Sequence, residues 1–362
     1  MIKSKLIGDR AFYSRALAIS VPIMIQTGIT NFVNLLDTVM VGSLGTESAT
    51  GVAVANQLIF IFNLCIYGAV SGSGIFTAQF FGKGDTKGVQ YTFRFKMAIS
   101  VLISLLFAGV MLTNGDSLIW LYLKGEGSPQ SANESARIAF DYAKIMLIGI
   151  IPYALSQSFG STLRETGRPK VPMYAGVAAV FVNLSLNYVL IFGHFGAPRM
   201  GTAGAAIATV ISRFVELAYV AIGTFIGRNR SVLSGTFKSA YVPLSLVLEM
   251  VRKGTPLLLN EFFWSTGIAF INQCYSVRGL NVVTADYITM AFFNVFSVVF
   301  FAVGMSIGII VGQMLGSGKT EEAMDTAVKM RAFAVLTAII VGTVFALLSG
   351  AIPKIYNIHY HL

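Results

Sequence analysis

Long apolar segments, each close to or above the length that crosses a bilayer, recur along the whole chain. Nine can be delimited, and they begin near Ala16, Thr50, Met97, Ile138, Val171, Thr202, Thr255, Ala285 and Ala332. A transmembrane helix needs about 20 mostly apolar residues, and these segments are apolar nearly all round. None of them alternates over about 10 residues, as a transmembrane β-strand would. The pattern predicts an all-α integral membrane protein with nine spans.

The amino-acid composition agrees with a lipid environment. Hydrophobic residues make up 55% of the chain and charged residues only 12%, whereas soluble domains contain roughly 25% charged residues. The composition therefore excludes a water-soluble protein. The segment from Ala16 is too long for the hydrophobic region of a signal peptide, and no small-residue cleavage site follows it. We predict that it is the first span.

The net charge of +10 follows the predicted loops. If the N-terminus is cytoplasmic and the spans alternate, 19 of the 26 lysines and arginines lie on the cytoplasmic side, and Lys96 is counted among them. This bias follows the positive-inside rule and predicts a multi-pass protein of the plasma (inner) membrane with a cytoplasmic N-terminus. Membrane lipids are therefore an expected partner, and nucleic acid is not.

The sequence contains no motif for a metal, a disulfide framework or a nucleotide. Cys65 and Cys274 lie inside apolar segments, and the three histidines show no metal-ligand spacing. Gly318-Lys319-Thr320 resembles the end of a P-loop, but Gln313 stands where that motif needs a glycine. We interpret this segment as a cytoplasmic turn between two helices. No cofactor is expected, and a transporter without a nucleotide-binding site would have to take its energy from an ion gradient.

An internal repeat becomes visible when the chain is compared with itself at the constant offset that places Pro22 on Pro256. At this offset, the pattern G-x4-Q-x2-G-x-G-x-T that begins at Gly74 returns without a gap at Gly308. Because the first unit has an even number of spans, both units enter the membrane from the same side and are parallel. Parallel repeats are typical of secondary transporters.

The repeat predicts the domain organisation. An N-lobe of residues 1–226 has six transmembrane helices, a cytoplasmic linker covers residues 227–241, and a partial C-lobe of residues 242–362 has three. The counterparts of the fourth to sixth spans would begin beyond Leu362. We therefore expect about nine of twelve transmembrane helices, in a C-terminally truncated chain.

A stripe of glycines follows the eighth span. Gly304, Gly308, Gly312 and Gly316 recur every four residues. Small residues at this spacing allow helices to approach closely. The stripe predicts tight helix packing, with a sliding or hinging face as the alternative.

Four polar residues are predicted to lie at one depth in the outer half of the N-lobe. Estimates at about 1.5 Å rise per residue place Asp37, Asn183, Asn187 and Thr209 within roughly 6 Å of one another along the membrane normal. Asn183 and Asn187 are four residues apart and share a helix face. We expect the carboxylate of Asp37 to lie within about 10 Å of Asn183, the limit for a bridging water or ion. The cluster is either a proton or sodium site or a set of independent packing contacts.

Further polar residues inside predicted spans are candidates for a charge network or a substrate contact, because charges in lipid are costly. Arg213 has two possible partners, Glu216 three residues later or Asp37 on the first span. Glu261 and Trp264 lie in an aromatic segment of the seventh span, where a carboxylate beside aromatic faces suits an organic cation. The alternative is a polar contact among lipid-facing aromatics. Arg213 is the only basic residue expected deep inside the membrane.

Several motifs together resemble the multidrug and toxic compound extrusion (MATE) transporters. They are S-V-P-I-M-I-Q with L-L-D-T-V-M-V-G around Pro22 and Asp37, and T-A-Q-F-F-G-K-G over residues 77–84. Two more are Asn183-x3-Asn187 before Ile191-Phe-Gly193, and M-G-T-A-G-A-A-I-A-T-V over residues 200–210. The resemblance covers essentially the whole chain.

The resemblance implies two six-helix lobes in a V and alternating access. It implies export of cationic or amphipathic compounds in exchange for H⁺ or Na⁺, with no catalytic residue and, we expect, as a monomer. It places the ion site on Asp37 and Asn183; Asn187 stands where many members have a second carboxylate. Thr209 would supply the hydroxyl of the sixth span. Bending at Pro22, with Pro256 as its repeat partner, would couple ion binding to movement.

Two other functions remain open at this point. One is a lipid-linked oligosaccharide flippase of the same multidrug/oligosaccharidyl-lipid/polysaccharide superfamily, whose members often have cationic central cavities. The other is an inactive truncated fragment that transports nothing. Export of an organic cation by the wild type and by Asp37→Asn separates the antiporter from the flippase, and sequencing the gene beyond codon 362 tests the truncated fragment.

Overall fold

The computed structural model describes residues 6–123, 128–226, 230–276 and 280–348, and within these ranges the fold is all-helical. His359 and His361, two of the three histidines, therefore lie outside the described residues, and so does Tyr356, which the repeat offset places on Tyr122. The long helices, numbered α1 to α9 in chain order, are Arg10–Gly42, Thr46–Lys83, Thr86–Leu123, Pro129–Glu165, Lys170–Phe192, Gly201–Phe225, Leu244–Ser276, Leu280–Gly316 and Thr320–Leu348.

Eight of these helices are long and apolar enough to cross a membrane, which confirms a multi-pass protein. The exception is α7, where we predicted the seventh span. Its sequence contains four charged residues, Glu249, Arg252, Lys253 and Glu261, which lower its mean hydropathy. For orientation, the end of the bundle with the turn between α1 and α2 is called the α1–α2 end. The opposite end, with the turn between α2 and α3, is called the α2–α3 end.

The two repeat units adopt the same backbone at the end of the shared motif. Gly84 closes α2 with φ +77° and Gly318 follows α8 with φ +78°, a left-handed conformation that favours glycine. Gly318-Lys319-Thr320 is thus a turn between two helices, as predicted, and α9 begins at Thr320.

Equivalent residues of the two units also contact each other reciprocally. A Cβ added to Gly82 would lie 1.9 Å from the carbonyl oxygen of Gln313, and a Cβ added to Gly316 would lie 1.9 Å from that of Gln79. Gly82 and Gly316 occupy equivalent positions in the repeat, and so do Gln79 and Gln313. The helices α2 and α8 therefore cross about an approximate two-fold axis, and only glycine fits at the crossing.

A second reciprocal pair of contacts joins α1 to α8 and α2 to α7. The hydroxyls of Ser20 and Ser306 are hydrogen-bonded at 2.8 Å and fully buried. Their repeat equivalents are Gly254 and Gly72, where a Cβ on Gly72 would lie 2.5 Å from the Cα of Gly254. Both pairs lie in the half of the bundle that belongs to the α2–α3 end.

The glycine stripe of α8 divides into two parts. Gly312 and Gly316 pack against α2, with a Cβ on Gly312 placed 3.0 Å from that of Ala78. A Cβ on Gly304 or Gly308 would meet nothing within 4 Å. Tight packing therefore explains only the part nearest the α2–α3 end.

The described part of the predicted linker is held against α3. Arg94 donates from Nε to the carbonyl of Thr236 at 2.7 Å and from Nη1 to that of Tyr241 at 3.0 Å. Gln90 donates to the carbonyls of Val232 and Ser234. Residues 230–241 thus form an ordered connection, with the short helix Arg230–Leu233 and the 3-10 turn Thr236–Lys238.

Pro22 and Pro256 both lie inside continuous helices, α1 and α7. Pro22 is buried beside the α1–α8 contact, whereas Pro256 is exposed. Each proline removes one backbone hydrogen-bond donor from its helix. A hinge role for the two prolines stays a prediction.

Candidate functional site

The four polar residues predicted at one depth form a continuous hydrogen-bonded cluster. Asn187 donates from Nδ2 to the Asp37 carboxylate at 2.5 Å and to the Asn183 carbonyl at 3.1 Å. Asn183 donates to the Thr209 hydroxyl at 3.2 Å, and Thr209 donates to the backbone of Ala205. We call these four residues the Asp37 cluster.

Local sequence explains why α5 and α6 can share this cluster. Asn183 and Asn187, one turn apart, both point to the inside of the bundle and are 5% and 0% exposed. At the start of α6, a Cβ on Gly204 would lie 2.7 Å from the carbonyl oxygen of Leu190. This close approach brings Thr209, five residues later, to the amide of Asn183.

The amide of Asn183 has two orientations that keep the cluster connected. If the amide is flipped, its nitrogen would lie 3.1 and 3.3 Å from the two Asp37 oxygens, while its oxygen accepts from Thr209. In either orientation Asn183 therefore lies well within reach of a water or ion that bridges it to Asp37. The geometry agrees with the predicted convergence, and a role in ion coupling remains a prediction.

The Asp37 cluster has spare acceptor capacity. Among the described residues, no lysine, arginine or histidine lies within 4.0 Å of Asp37. The side-chain oxygen of Asn187 is buried and has no hydrogen-bond partner. A carboxylate and a free amide oxygen side by side can hold a small cation, since such oxygens are ligands for hard cations.

Sequence reasoning missed Tyr142 on α4, which belongs to the surroundings of the cluster. Its ring is buried, and its phenol interacts electrostatically with Asp37 and Arg213. The available signal was a tyrosine in the middle of an apolar helix, because a buried phenol usually needs a polar neighbour.

Arg213 forms neither of the two ion pairs that were predicted as alternatives for it. Neither Glu216 nor Asp37 lies within 4.0 Å of the guanidinium in the described part of the chain. Instead, Arg213 stacks on the ring of Tyr153 at 4.3 Å from its centroid, and a Cβ on Gly149 would lie 3.2 Å from its Cδ. The missing side chain at Gly149 lets Arg213 turn toward α4 and away from its own helix neighbour. Glu216 keeps only a longer-range electrostatic interaction with Arg213 and Arg164.

Glu261 and Trp264 on α7 are not brought to the Asp37 cluster. Glu261 is half-buried and interacts electrostatically with Tyr67 of α2. Trp264 is 50% exposed, and the neighbouring Phe263 is 67% exposed. A substrate role for Glu261 and Trp264 remains a prediction.

A second buried charge cluster, which the sequence did not predict, lies at the α2–α3 end. Lys96 of α3 is completely buried and forms an ion pair with Glu165, the last residue of α4. Ser161 donates to the same carboxylate, and the Lys96 ammonium also donates to Ser161 and Thr162 at 3.1 and 3.4 Å. We call Lys96, Glu165, Ser161 and Thr162 the Lys96 cluster.

This cluster corrects one prediction. Lys96 is not an exposed loop charge, because α3 begins at Thr86 and places it ten residues inside the helix. Arg164, in the last turn of α4, is a further buried basic residue that the sequence did not indicate, at 9% exposed. Charges near the end of an apolar segment resemble loop charges in a sequence, and only neighbouring helices show that they are covered.

The Lys96 cluster touches the second repeat unit through α8. Gln313 donates from Nε2 to the backbone carbonyl of Glu165 at 2.7 Å, and its oxygen accepts from Arg15 at 3.2 Å. On the other side, a Cβ on Gly74 would lie 2.4 Å from the Glu165 carboxylate. The end of α4 is therefore held between α2, α3 and α8.

The sequence of this chain is similar to that of a known protein family and of individual curated proteins. A family model described as MatE matches residues 22–189 and 256–359. The chain is 26% identical over 348 residues to a probable multidrug resistance protein NorM of Thermotoga maritima, covering 94% of this chain and 71% of that protein. A protein of the same description from Halalkalibacterium halodurans is 25% identical over 345 residues, covering 94% and 73%.

Solved structures show the same fold. One is described as the outward-facing conformation of a multidrug resistance MATE family transporter of the MOP superfamily. It aligns with a TM-score of 0.84 at 21% identity and covers 99% of this chain and 76% of that one.

Proposed function

Because this chain belongs to the MatE family, we propose that it is a secondary antiporter that exports cationic or amphipathic organic compounds in exchange for H⁺ or Na⁺. The observation that carries this proposal is the Asp37 cluster: a carboxylate without a basic partner among the described residues, beside an amide oxygen without a donor. Such a site is poised to take up a cation from solution.

Coupling requires that the same cation be bound in one conformation and released in another. The cluster joins three helices, since Asp37 lies on α1, Asn183 and Asn187 on α5, and Thr209 on α6. A proton or Na⁺ on Asp37 would neutralise the carboxylate and change the hydrogen bonds between α1 and α5. The ion would thereby alter how α1 sits against the other helices.

Alternating access is supported by where the two repeat units touch. The reciprocal contacts of Gly82 with Gln313 and of Ser20 with Ser306 lie toward the α2–α3 end. Toward the α1–α2 end, α1 exposes Phe32 and Val39, at 59% and 61%. We propose that the N-lobe and the partial C-lobe move about these contacts, with the α2–α3 end in the cytoplasm as the charge bias predicts.

The test is efflux of a fluorescent organic cation from proteoliposomes, driven separately by a proton gradient and by a sodium gradient. We expect the wild type to export in one or both gradients and Asp37→Asn to fall to the rate of empty liposomes. The matched control is Asp116→Asn, an exposed aspartate on α3. Export by Asp37→Asn at the wild-type rate would show that the cluster does not couple transport.

The flippase alternative is supported by Arg164, a buried cation that lines a cavity and that the sequence did not reveal. A flippase would translocate a lipid-linked oligosaccharide in the same liposomes without a response to either ion gradient. A chain that moves neither compound would agree with the third hypothesis, an inactive fragment.

A further inference from the structure

A cavity of about 180 Å³ lies between α2, α4 and α8, next to the Lys96 cluster and away from Asp37. Its walls are largely apolar, with Val70, Ile75 and Ile309 among the lining residues. Its polar lining comes from Tyr67 and Ser71 of α2 and from the last turns of α4, where both Arg164 and Glu165 line it. Gly304 and Gly308 border it, which explains why part of the glycine stripe packs against nothing.

Arg164 is the unsatisfied group of this cavity. The side chain is more than nine-tenths buried, and its Nε has no hydrogen-bond partner. Its guanidinium donates from Nη1 to the neutral side chain of Gln26 in a long hydrogen bond of 3.4 Å. Within the described residues no carboxylate lies within 4.0 Å of Arg164. A buried cation in this state needs an anion.

The neighbouring carboxylates are already engaged. Glu165 is paired with the fully buried Lys96 and accepts from Ser161. Glu216 interacts electrostatically with both Arg213 and Arg164. Lys96, Arg164 and Arg213 thus share two carboxylates, Glu165 and Glu216, so this group of side chains carries one positive charge in excess. Both carboxylates act on Arg164 electrostatically without forming an ion pair with it, and Arg164 is the one of the three cations that lines the cavity.

The volume of the cavity limits the size of its ligand, and Arg164 sets the charge of that ligand. An apolar cavity of about 150 Å³ holds one benzene molecule, so this one holds an aromatic ring with one small substituent. Arginine binds a carboxylate through two parallel hydrogen bonds. We propose that the cavity binds the aryl carboxylate group of an amphipathic molecule, with Arg164 as its anchor. The inference rests on the proposed function only in treating that molecule as exported cargo.

The test uses ¹⁹F NMR to measure how tightly two compounds bind to the purified full chain in detergent micelles, without any ion gradient. The compounds are 4-fluorobenzoate and its neutral isostere 4-fluorobenzamide. We expect the acid to bind at least tenfold more tightly than the amide. Arg164→Gln should abolish this preference, whereas Arg137→Gln, an exposed arginine on the same helix, should keep it. Equal binding of the acid and the amide by the wild type would overturn the proposal.

A second variant keeps the test decisive if Arg164→Gln does not fold. Gly308→Leu would place a side chain where a Cβ meets nothing within 4 Å, so it should fill the cavity without disturbing Arg164. Loss of 4-fluorobenzoate binding by this folded variant supports the site, and retention overturns it.

Two further arms separate the possible outcomes. Displacement of 4-fluorobenzoate by micellar phosphatidylglycerol would identify a lipid phosphate as the occupant and overturn the aryl carboxylate. Asp37→Asn should bind 4-fluorobenzoate as the wild type does, because Asp37 does not line the cavity. Failure of the ion-coupling proposal is thereby distinguishable from failure of this one.

Discussion

Asp37, which is half-buried, and Glu165, which is buried, are two carboxylates in the first six helices, and they differ in their partners. Glu165, at the α2–α3 end, has a buried lysine and a serine hydroxyl on its carboxylate. Asp37, toward the α1–α2 end, accepts a hydrogen bond from the neutral amide of Asn187. A carboxylate with its own cation holds helices together, whereas a carboxylate with only amides can exchange a cation with solution. We therefore expect a structural role for Glu165 and propose ion binding for Asp37.

The largest expected effect comes from removing the partner of the structural carboxylate. Lys96→Met leaves Glu165 buried without a counter-charge and should lower the free energy of unfolding by about 3–5 kcal/mol. Detergent-induced unfolding of the purified protein measures this. The double variant Lys96→Met/Glu165→Gln should recover most of the loss. If Lys96→Met unfolds like the wild type, the two carboxylates do not differ in the way proposed.

A smaller loss is expected at the Asp37 cluster. Asn187→Ala removes the donor to Asp37 and should lower the free energy of unfolding by about 1.5–3 kcal/mol, as for a hydrogen bond to a charged group. Export should fall as well, because the site loses an oxygen and a connection to α5. Asn114→Ala, an exposed asparagine on α3, is the matched control. Equal effects of Asn187→Ala and Asn114→Ala would contradict a special role for the cluster.

The internal repeat offers a third test, because it pairs a glycine next to Glu165 with a glycine that has no close neighbour. A Cβ on Gly74 would lie 2.4 Å from the Glu165 carboxylate, which Lys96 holds in place. Gly74→Ala should therefore destabilise the protein by about 1–3 kcal/mol through overpacking. Its repeat partner Gly308 faces open space, so Gly308→Ala should be neutral or stabilising by up to about 1 kcal/mol. Similar unfolding curves for the two variants would show that Glu165 is not held rigidly.

The smallest expected effect concerns an exposed ion pair on the same helix as Glu165. Arg137 and Glu134 are paired at 2.7 Å, with side chains 67% and 44% exposed. Exposed pairs contribute little because solvent screens them. Arg137→Gln should leave the unfolding midpoint unchanged within error. A shift as large as that of Lys96→Met would mean that burial does not set the difference.

Much of the fold was predictable because it depends on order along the chain. Segment length predicted nine helices, and the internal repeat predicted that Gly84 and Gly318 play the same part. The convergence of Asp37 with Asn183 was predictable for a similar reason. In nearly straight helices, depth follows residue number at a constant rise.

The limits of prediction appear where helices extend beyond their apolar segments. Lys96 directly precedes an apolar run in the sequence, yet α3 begins ten residues before it. Arg213 could reach Glu216 on its own helix, yet it packs beside Gly149 and stacks on the ring of Tyr153 instead. In both cases the partner belongs to another helix.

The sequence by itself determined that this is a helical membrane protein with an internal repeat, and it predicted a carboxylate and two amides at one depth. Those features follow from segment length, charge distribution and helical rise, which are properties of a single segment. Only the tertiary structure decided that Glu165 is neutralised, that Asp37 is not, and that Arg164 faces a cavity. Burial and pairing depend on which other helix covers a side chain, and that is settled when the helices pack.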